Sequence, residues 1–168
     1  MPDLRPLEST DRPFLEEMLF EAFFWNPAWS RPRLADFREQ PEFAKLVAGW
    51  GRPGDRGVLA EEQGRGIGAG WFRLWTPGLH SYGFVDAETP ELGIAVASTH
   101  RGRGVGRALL QALVDVARRD GHGALSLSVS PANHARALYE SEGFRKVGES
   151  GTSWTLLRRL DRGEGSRS

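Results

Sequence analysis

Glu91-Leu92-Gly93-Ile94-Ala95-Val96, then His100-Arg101-Gly102-Arg103-Gly104-Val105-Gly106-Arg107, forms the most informative part of the chain. The first segment, run out to Ala97, predicts a strand. Beyond the second, Val105, Leu109, Leu110, Leu113, Val116 and Ala117 recur on one helical stripe, so a helix begins at the glycines. Glycines alternate at 102, 104 and 106, which lets the backbone take unusual dihedrals and approach a ligand closely. The first amides of a helix have no internal partners and lie at its positive end. Arg101, Arg103 and Arg107 add charge there, so strand, loop and helix together read as a cradle for a pyrophosphate.

Working outward, Gly121 can end that helix, and Leu125, Leu127 and Val129 alternate with Ser126 and Ser128 as a strand. A strand–helix–strand unit over 91–130 is expected to be a right-handed parallel crossover. Asn133–Glu142 predicts a short helix stopped by Gly143, and Phe144–Val147 and Thr152–Leu160 predict two strands. Upstream, Leu4–Leu7 suggests a first strand. Phe14, Leu15, Met18, Leu19, Ala22 and Phe23 mark a helix that Pro27 ends, and Arg33–Phe37 with Glu42–Val47 continues helical. Gly57–Glu62 and Ile67–Trp75 read as a hairpin, so the run Gly64, Gly66, Gly68, Gly70 is a turn entering a strand rather than a nucleotide loop. Thr76–Thr89 is a loop. The order β-α-α-β-β-β-α-β-α-β-β is an α/β sheet of mixed direction. We expect one domain over 1–160 and a disordered tail over 161–168.

The glycine spacing discriminates among pyrophosphate ligands. A dinucleotide loop needs G-x-G-x-x-G with an acidic residue ~20 positions on, and a phosphate-binding Walker loop needs G-K-[ST]. Arg101-Gly102-Arg103-Gly104-Val105-Gly106 fits neither. It resembles the coenzyme A loop of the GNAT N-acetyltransferase superfamily. The likeness extends to the E-L-x-I-x-V strand at Glu91–Val96, to Asn133, and to L-Y-x-x-x-G-F at Leu138–Phe144. It is sharp over 91–148 and looser outside.

The resemblance implies an α/β (α+β) fold with a mostly antiparallel mixed sheet and a central parallel crossover. It implies acetyl-CoA as acyl donor, bound by Arg101, Gly102, Arg103, Gly104, Val105, Gly106, Arg107 and Asn133. The backbone of Ile94, Ala95 and Val96 would contact the pantetheine and polarise the thioester carbonyl. Transfer to the amine would be direct, within a ternary complex. Tyr139, on the family motif, is the candidate general acid toward the departing thiolate. Where many protein-acetylating relatives carry a glutamate, this chain has Ser128, so Glu91 is the leading candidate base. Asp86 and Glu88 are weaker alternatives.

The region between the first two helices is expected to wall an acceptor pocket. It carries Phe20, Phe23, Phe24 and Phe37, most of them expected core, with Trp25 and Trp29 as the best substrate-binding candidates. A small-molecule primary amine is the expected acceptor. A protein or peptide amine, and a non-catalytic acyl-CoA sensor, are the alternatives. Similar proteins commonly form homodimers.

Composition narrows the field further. The 168 residues carry 22 basic and 22 acidic side chains, so no bulk field favours nucleic acid or an anionic membrane. There are no cysteines, which removes disulfides, thiolate metal sites and a cysteine nucleophile. His80, His100, His122 and His134 show no metal-ligand spacing, and no metal is expected. No apolar leader or ~20-residue apolar span is evident, so a cytoplasmic protein is expected.

Overall fold

The computed structural model describes residues 2–160. The tail expected over 161–168 lies outside the described residues. Seven strands form one sheet: β1 (Asp3–Pro6), β2 (Arg56–Glu62), β3 (Arg65–Arg73), β4 (Glu91–Val96), β5 (Ala124–Val129), β6 (Arg145–Ser150) and β7 (Ser153–Arg159). Their spatial order is β1-β2-β3-β4-β5-β7-β6, antiparallel except for the β4–β5 pair. Five helices accompany them: α1 (Arg12–Phe23), α2 (Leu34–Glu39), α3 (Pro41–Ala44), α4 (Val105–Arg119) and α5 (Ala135–Ser141).

Helix α4 crosses one face of the sheet. Its stripe Leu109, Leu110, Leu113 and Ala117 is fully buried against Ile67, Phe72, Leu92, Leu125 and Leu127. Each such leucine contributes about 1.5–3 kcal/mol by leaving water. The glycines of β3 belong to this packing: a Cβ at Gly70 would lie 2.8 Å from Leu113 Cδ1, and one at Gly68 3.2 Å from Leu109 Cδ1. The run at 64–70 is therefore a turn followed by close helix–sheet contact. On the opposite face Leu15, Met18 and Leu19 of α1 cover Ala69, Trp71 and Ala95, with Phe37 and Val47 closing the layer.

The feature that shapes the site is a divergence. β4 and β5 are registered at one pair, Glu91 with Ser126, and separate beyond it. On its other edge β4 pairs with β3 along its whole length, from Glu91 to Val96. The far end of β4 thus turns one backbone edge to a cleft rather than to a neighbouring strand, and α4 starts at that cleft's mouth.

A candidate acetyl-transfer site between diverging strands

Two cavities meet at the divergence. The first, of about 600 Å³, runs along β4 from Leu92 to Val96 to the start of α4 and across to Asn133, Leu138 and Tyr139. Gly102 (φ +76°) and Gly104 (φ +84°) are in left-handed conformations, which turn the chain from the strand into the helix. Gly104 stands at the helix N-cap with no side chain to occupy the first-turn amides. Open space surrounds the Cβ positions of 102 and 104. The loop is thus a bare, positively polarised rim, and these residues fit a pyrophosphate.

The arginines divide. Arg101 and Arg107 line the cavity, and Arg103 does not. Arg101 reaches across the groove, donating to Val96 O (3.1 Å) and pairing with Glu21 of α1 (3.2 Å). Arg107 pairs with Glu142 at 2.7 Å. Asn133 Oδ1 accepts from the Ala135 amide at 2.9 Å, which secures the start of α5, and the residue borders both cavities. Glu21 carried no sequence signal, because its role depends on a partner 80 positions away.

Gly106 differs from its neighbours. It lies in the first turn of α4, and its Cβ position would meet nothing closer than Leu138 Cδ2 at 3.4 Å. Alanine fits there and favours a helix by roughly 0.5–1 kcal/mol over glycine. The added methyl would project into the cavity that Gly106 lines. Gly106→Ala is expected to raise thermal stability slightly and to weaken acetyl-CoA binding at least ~10-fold, the steric cost of an obstructed cradle. Melting curves and calorimetric titration of one protein preparation check both halves.

Tyr139 borders this cavity while its ring packs with Phe144 inside the core. Burial pushes its phenol up to about 12, so it holds its proton across the physiological range.

The second cavity, of about 500 Å³, lies beside the first and shares Ala22, Trp25, Leu92, Gly93, Ser128, Val129 and Asn133 with it. Trp25 and Trp29, edge to face at 5.1 Å, form part of its wall. Trp71, Trp75, Phe23 and Phe43 contribute too, whereas Phe20, Phe24 and Phe37 cluster in the layer behind. Ser81 and Tyr82 bring the 74–90 loop onto the cavity.

Glu91 stands where the cavities adjoin. The residue is only partly buried as a whole, but its carboxylate is enclosed. Oε2 accepts from the Gly83 amide at 3.1 Å, and Oε1 makes no hydrogen bond. Burial pushes the carboxyl up to about 7, against the opposing pull of the Gly83 amide, the Trp75 indole and the Lys45 ammonium. On the neighbouring strand Ser126, its register partner, has an equally unpartnered buried Oγ. Gly83 can approach because it lacks a side chain: a Cβ would fall 2.7 Å from the Leu127 carbonyl carbon. Asp86 and Glu88 are exposed and line neither cavity. Gly83 and Ser126 were silent in the sequence, since both matter through strands that fold beside them.

The comparisons with known proteins agree with this geometry. Residues 12–144 match the Acetyltransferase (GNAT) family. The chain belongs to that family. It is 46% identical over 74 residues to an uncharacterised protein of Mycobacterium leprae, a match covering 39% of this chain and 20% of that protein. The chain therefore spans only about a fifth of the length of that curated relative. Among solved structures it resembles a ribosomal-protein-alanine N-acetyltransferase from Brucella melitensis (TM-score 0.69, 23% identity, covering 94% of this chain and 99% of that one). It also resembles a phosphinothricin acetyltransferase from Sinorhizobium meliloti in complex with AcCoA (TM-score 0.70, 20% identity, covering 98% and 91%). At such identities the likeness speaks for the fold. GNAT membership accounts for the mostly antiparallel sheet with one parallel pair. Among the described residues no three His, Asp or Glu side chains are grouped to hold a metal. No described helix is long and apolar enough to cross a membrane.

Proposed function

We propose that this GNAT protein transfers an acetyl group from acetyl-CoA directly to a small-molecule primary amine, with residues 1–160 acting as one domain. The observation that carries the reading is the junction of the two cavities at the separating ends of β4 and β5. A cradle lined by Arg101 and Gly106 leads from one side, and an aromatic chamber holding Glu91 opens from the other.

The donor supplies an activated acyl group on sulfur, and this chain's residues do the rest. Arg101, Arg107 and the first amides of α4 hold the pyrophosphate, for which Arg101 exchanges its contact with Glu21. The free edge of Ile94–Val96 orients the thioester and offers an amide to its carbonyl oxygen. Glu91, enclosed and with Oε1 free, takes a proton from the ammonium form of the acceptor through a bridging water. The amine nitrogen then bonds to the acyl carbon as the carbon–sulfur bond breaks. Tyr139 gives the departing sulfur its proton, and the second proton of the acylated nitrogen restores the Tyr139 phenol, so amide and thiol both leave neutral.

The loop over the acceptor chamber favours a metabolite over a protein. Gly83 rests directly on β5, and Ser81 and Tyr82 close on the cavity, which narrows the approach of a chain of residues.

A thermal-shift titration with acetyl-CoA, CoA and NADH tests the donor. Ligand at 100 times its dissociation constant adds about 2.7 kcal/mol of stability. A rise with acetyl-CoA and CoA and none with NADH is expected. No response to either would overturn the reading.

A further inference from the structure

The ionisable groups around the acceptor chamber are unbalanced. Glu42, Glu91 and Arg73 are the charged side chains lining it. Arg73 is already spent: Nε and Nη2 grip Asp55 at 2.9 and 2.7 Å, and Nη1 donates to Lys45 O at 3.1 Å. Its side chain is 2% exposed, and its guanidinium lies over the Trp50 and Trp75 rings, at 5.3 and 5.9 Å. Lys45, beside the chamber, donates its ammonium to His80 O at 2.7 Å. Two carboxylate residues thus line the chamber while its one lining cation is consumed within the wall.

The rest of the lining is aromatic. Trp25, Trp29, Phe43, Trp71, Trp75 and Tyr82 surround a volume of about 500 Å³, within the ~300–1,000 Å³ usual for small-molecule sites. Ring faces bind apolar bodies and attract cations. Among the lining residues an acceptor carboxylate would meet no unpaired cation, and it would lie near Glu91 and Glu42. An unpaired charge in such a setting is expensive.

We propose that the acceptor is a primary amine on an aromatic body that carries no carboxylate, in short an arylalkylamine rather than an amino acid. This rests on the acetyl-transfer reading above and narrows it. The ammonium enters toward Glu91 and Glu42 and the ring packs among the tryptophans. One ammonium proton goes to Glu91 before attack, and the second, lost on acylation, replaces the one that Tyr139 gives to sulfur. Nitrogen gains the acyl carbon and sulfur loses it.

Two readouts separate the claims. In the first, calorimetry without any acyl donor measures binding of tryptamine and 2-phenylethylamine against tryptophan and phenylalanine. The second follows thiol release from acetyl-CoA with the same four compounds, spermidine and a short peptide with a free N-terminus. Expected are binding of the two amines alone and a kcat/KM for them on the order of 100-fold above their amino-acid counterparts. Trp29→Ala, at a half-exposed position, should raise the amine KM several-fold and leave that of acetyl-CoA unchanged. Equal use of amine and amino acid overturns the proposal, as does turnover confined to spermidine or the peptide. Absence of turnover and binding with all four aromatic compounds overturns it too. Loss of acetyl-CoA binding with amine binding intact sinks only the transfer reading beneath it.

Discussion

Glu91→Gln is expected to lower kcat by ~100- to 1,000-fold with little change in the KM for acetyl-CoA, the range over which a positioned general base contributes. The variant keeps the shape and the Gly83 contact but cannot accept a proton. The wild-type pH profile carries the matching signature. With the carboxyl pushed up to about 7, the base is ionised above that pH and protonated below it. Activity should therefore fall as pH drops through about 7, and the residual activity of Glu91→Gln should lack that limb.

Stability should move in the opposite sense. A carboxyl whose folded value lies above its ordinary 4.5 is one whose charge the fold disfavours. The wild type binds more protons folded than unfolded between those values, so it loses stability as pH rises from about 4.5 to about 7. At pH 8 Glu91→Gln should be more stable, by about 3 kcal/mol if the full shift is expressed, and the gain should vanish near pH 4.5. Equal denaturation midpoints at both pH values would show the carboxylate to be solvated, and the role assigned to it would fail.

Tyr139→Phe is expected to slow turnover by ~100-fold, the lower end of what a general acid supplies. The ring that packs against Phe144 at 6.0 Å is retained, so the domain stays folded and acetyl-CoA binding changes little. With its phenol pushed up to about 12, Tyr139 keeps its proton throughout an ordinary assay range and adds no falling alkaline limb. Single-turnover and equilibrium binding measurements on the variant separate the two quantities. If binding falls as far as turnover, the hydroxyl is holding the cofactor rather than donating a proton.

Much of the fold was legible in the chain because it rests on short-range patterns. The stripe Val105–Ala117, the alternation Leu125–Val129 and the glycines at 102–106 are local signals, and each element lies where its period put it. The glycines from 64 to 70 were readable as a turn and strand, but their reason, the close approach of Leu109 and Leu113, required α4 in place. The glycines and arginines of the proposed cradle were visible for the same local reason, with one distinction: Arg101 and Arg107 line the cavity and Arg103 does not. Which of three neighbouring arginines borders a cavity depends on how the loop is folded, and composition carries no such information.

Local patterns in the chain carried the seven strands, α4, the glycine-rich loop before it and the GNAT resemblance, since backbone freedom, helix amides and hydrophobic period act over a few residues. The second helical stretch read over 33–47 instead divides into α2 and α3. The second cavity, proposed above to hold the acceptor, came from tertiary packing alone. Its wall is assembled from α1, the segment holding Trp29, α3, β3, the 74–90 loop, β4 and β5. Its electrostatic character turns on Asp55 capturing Arg73 across 18 positions and on Gly83 seating over Glu91. Burial and pairing of charge are properties of what packs around a group, and no local stretch of chain specifies them.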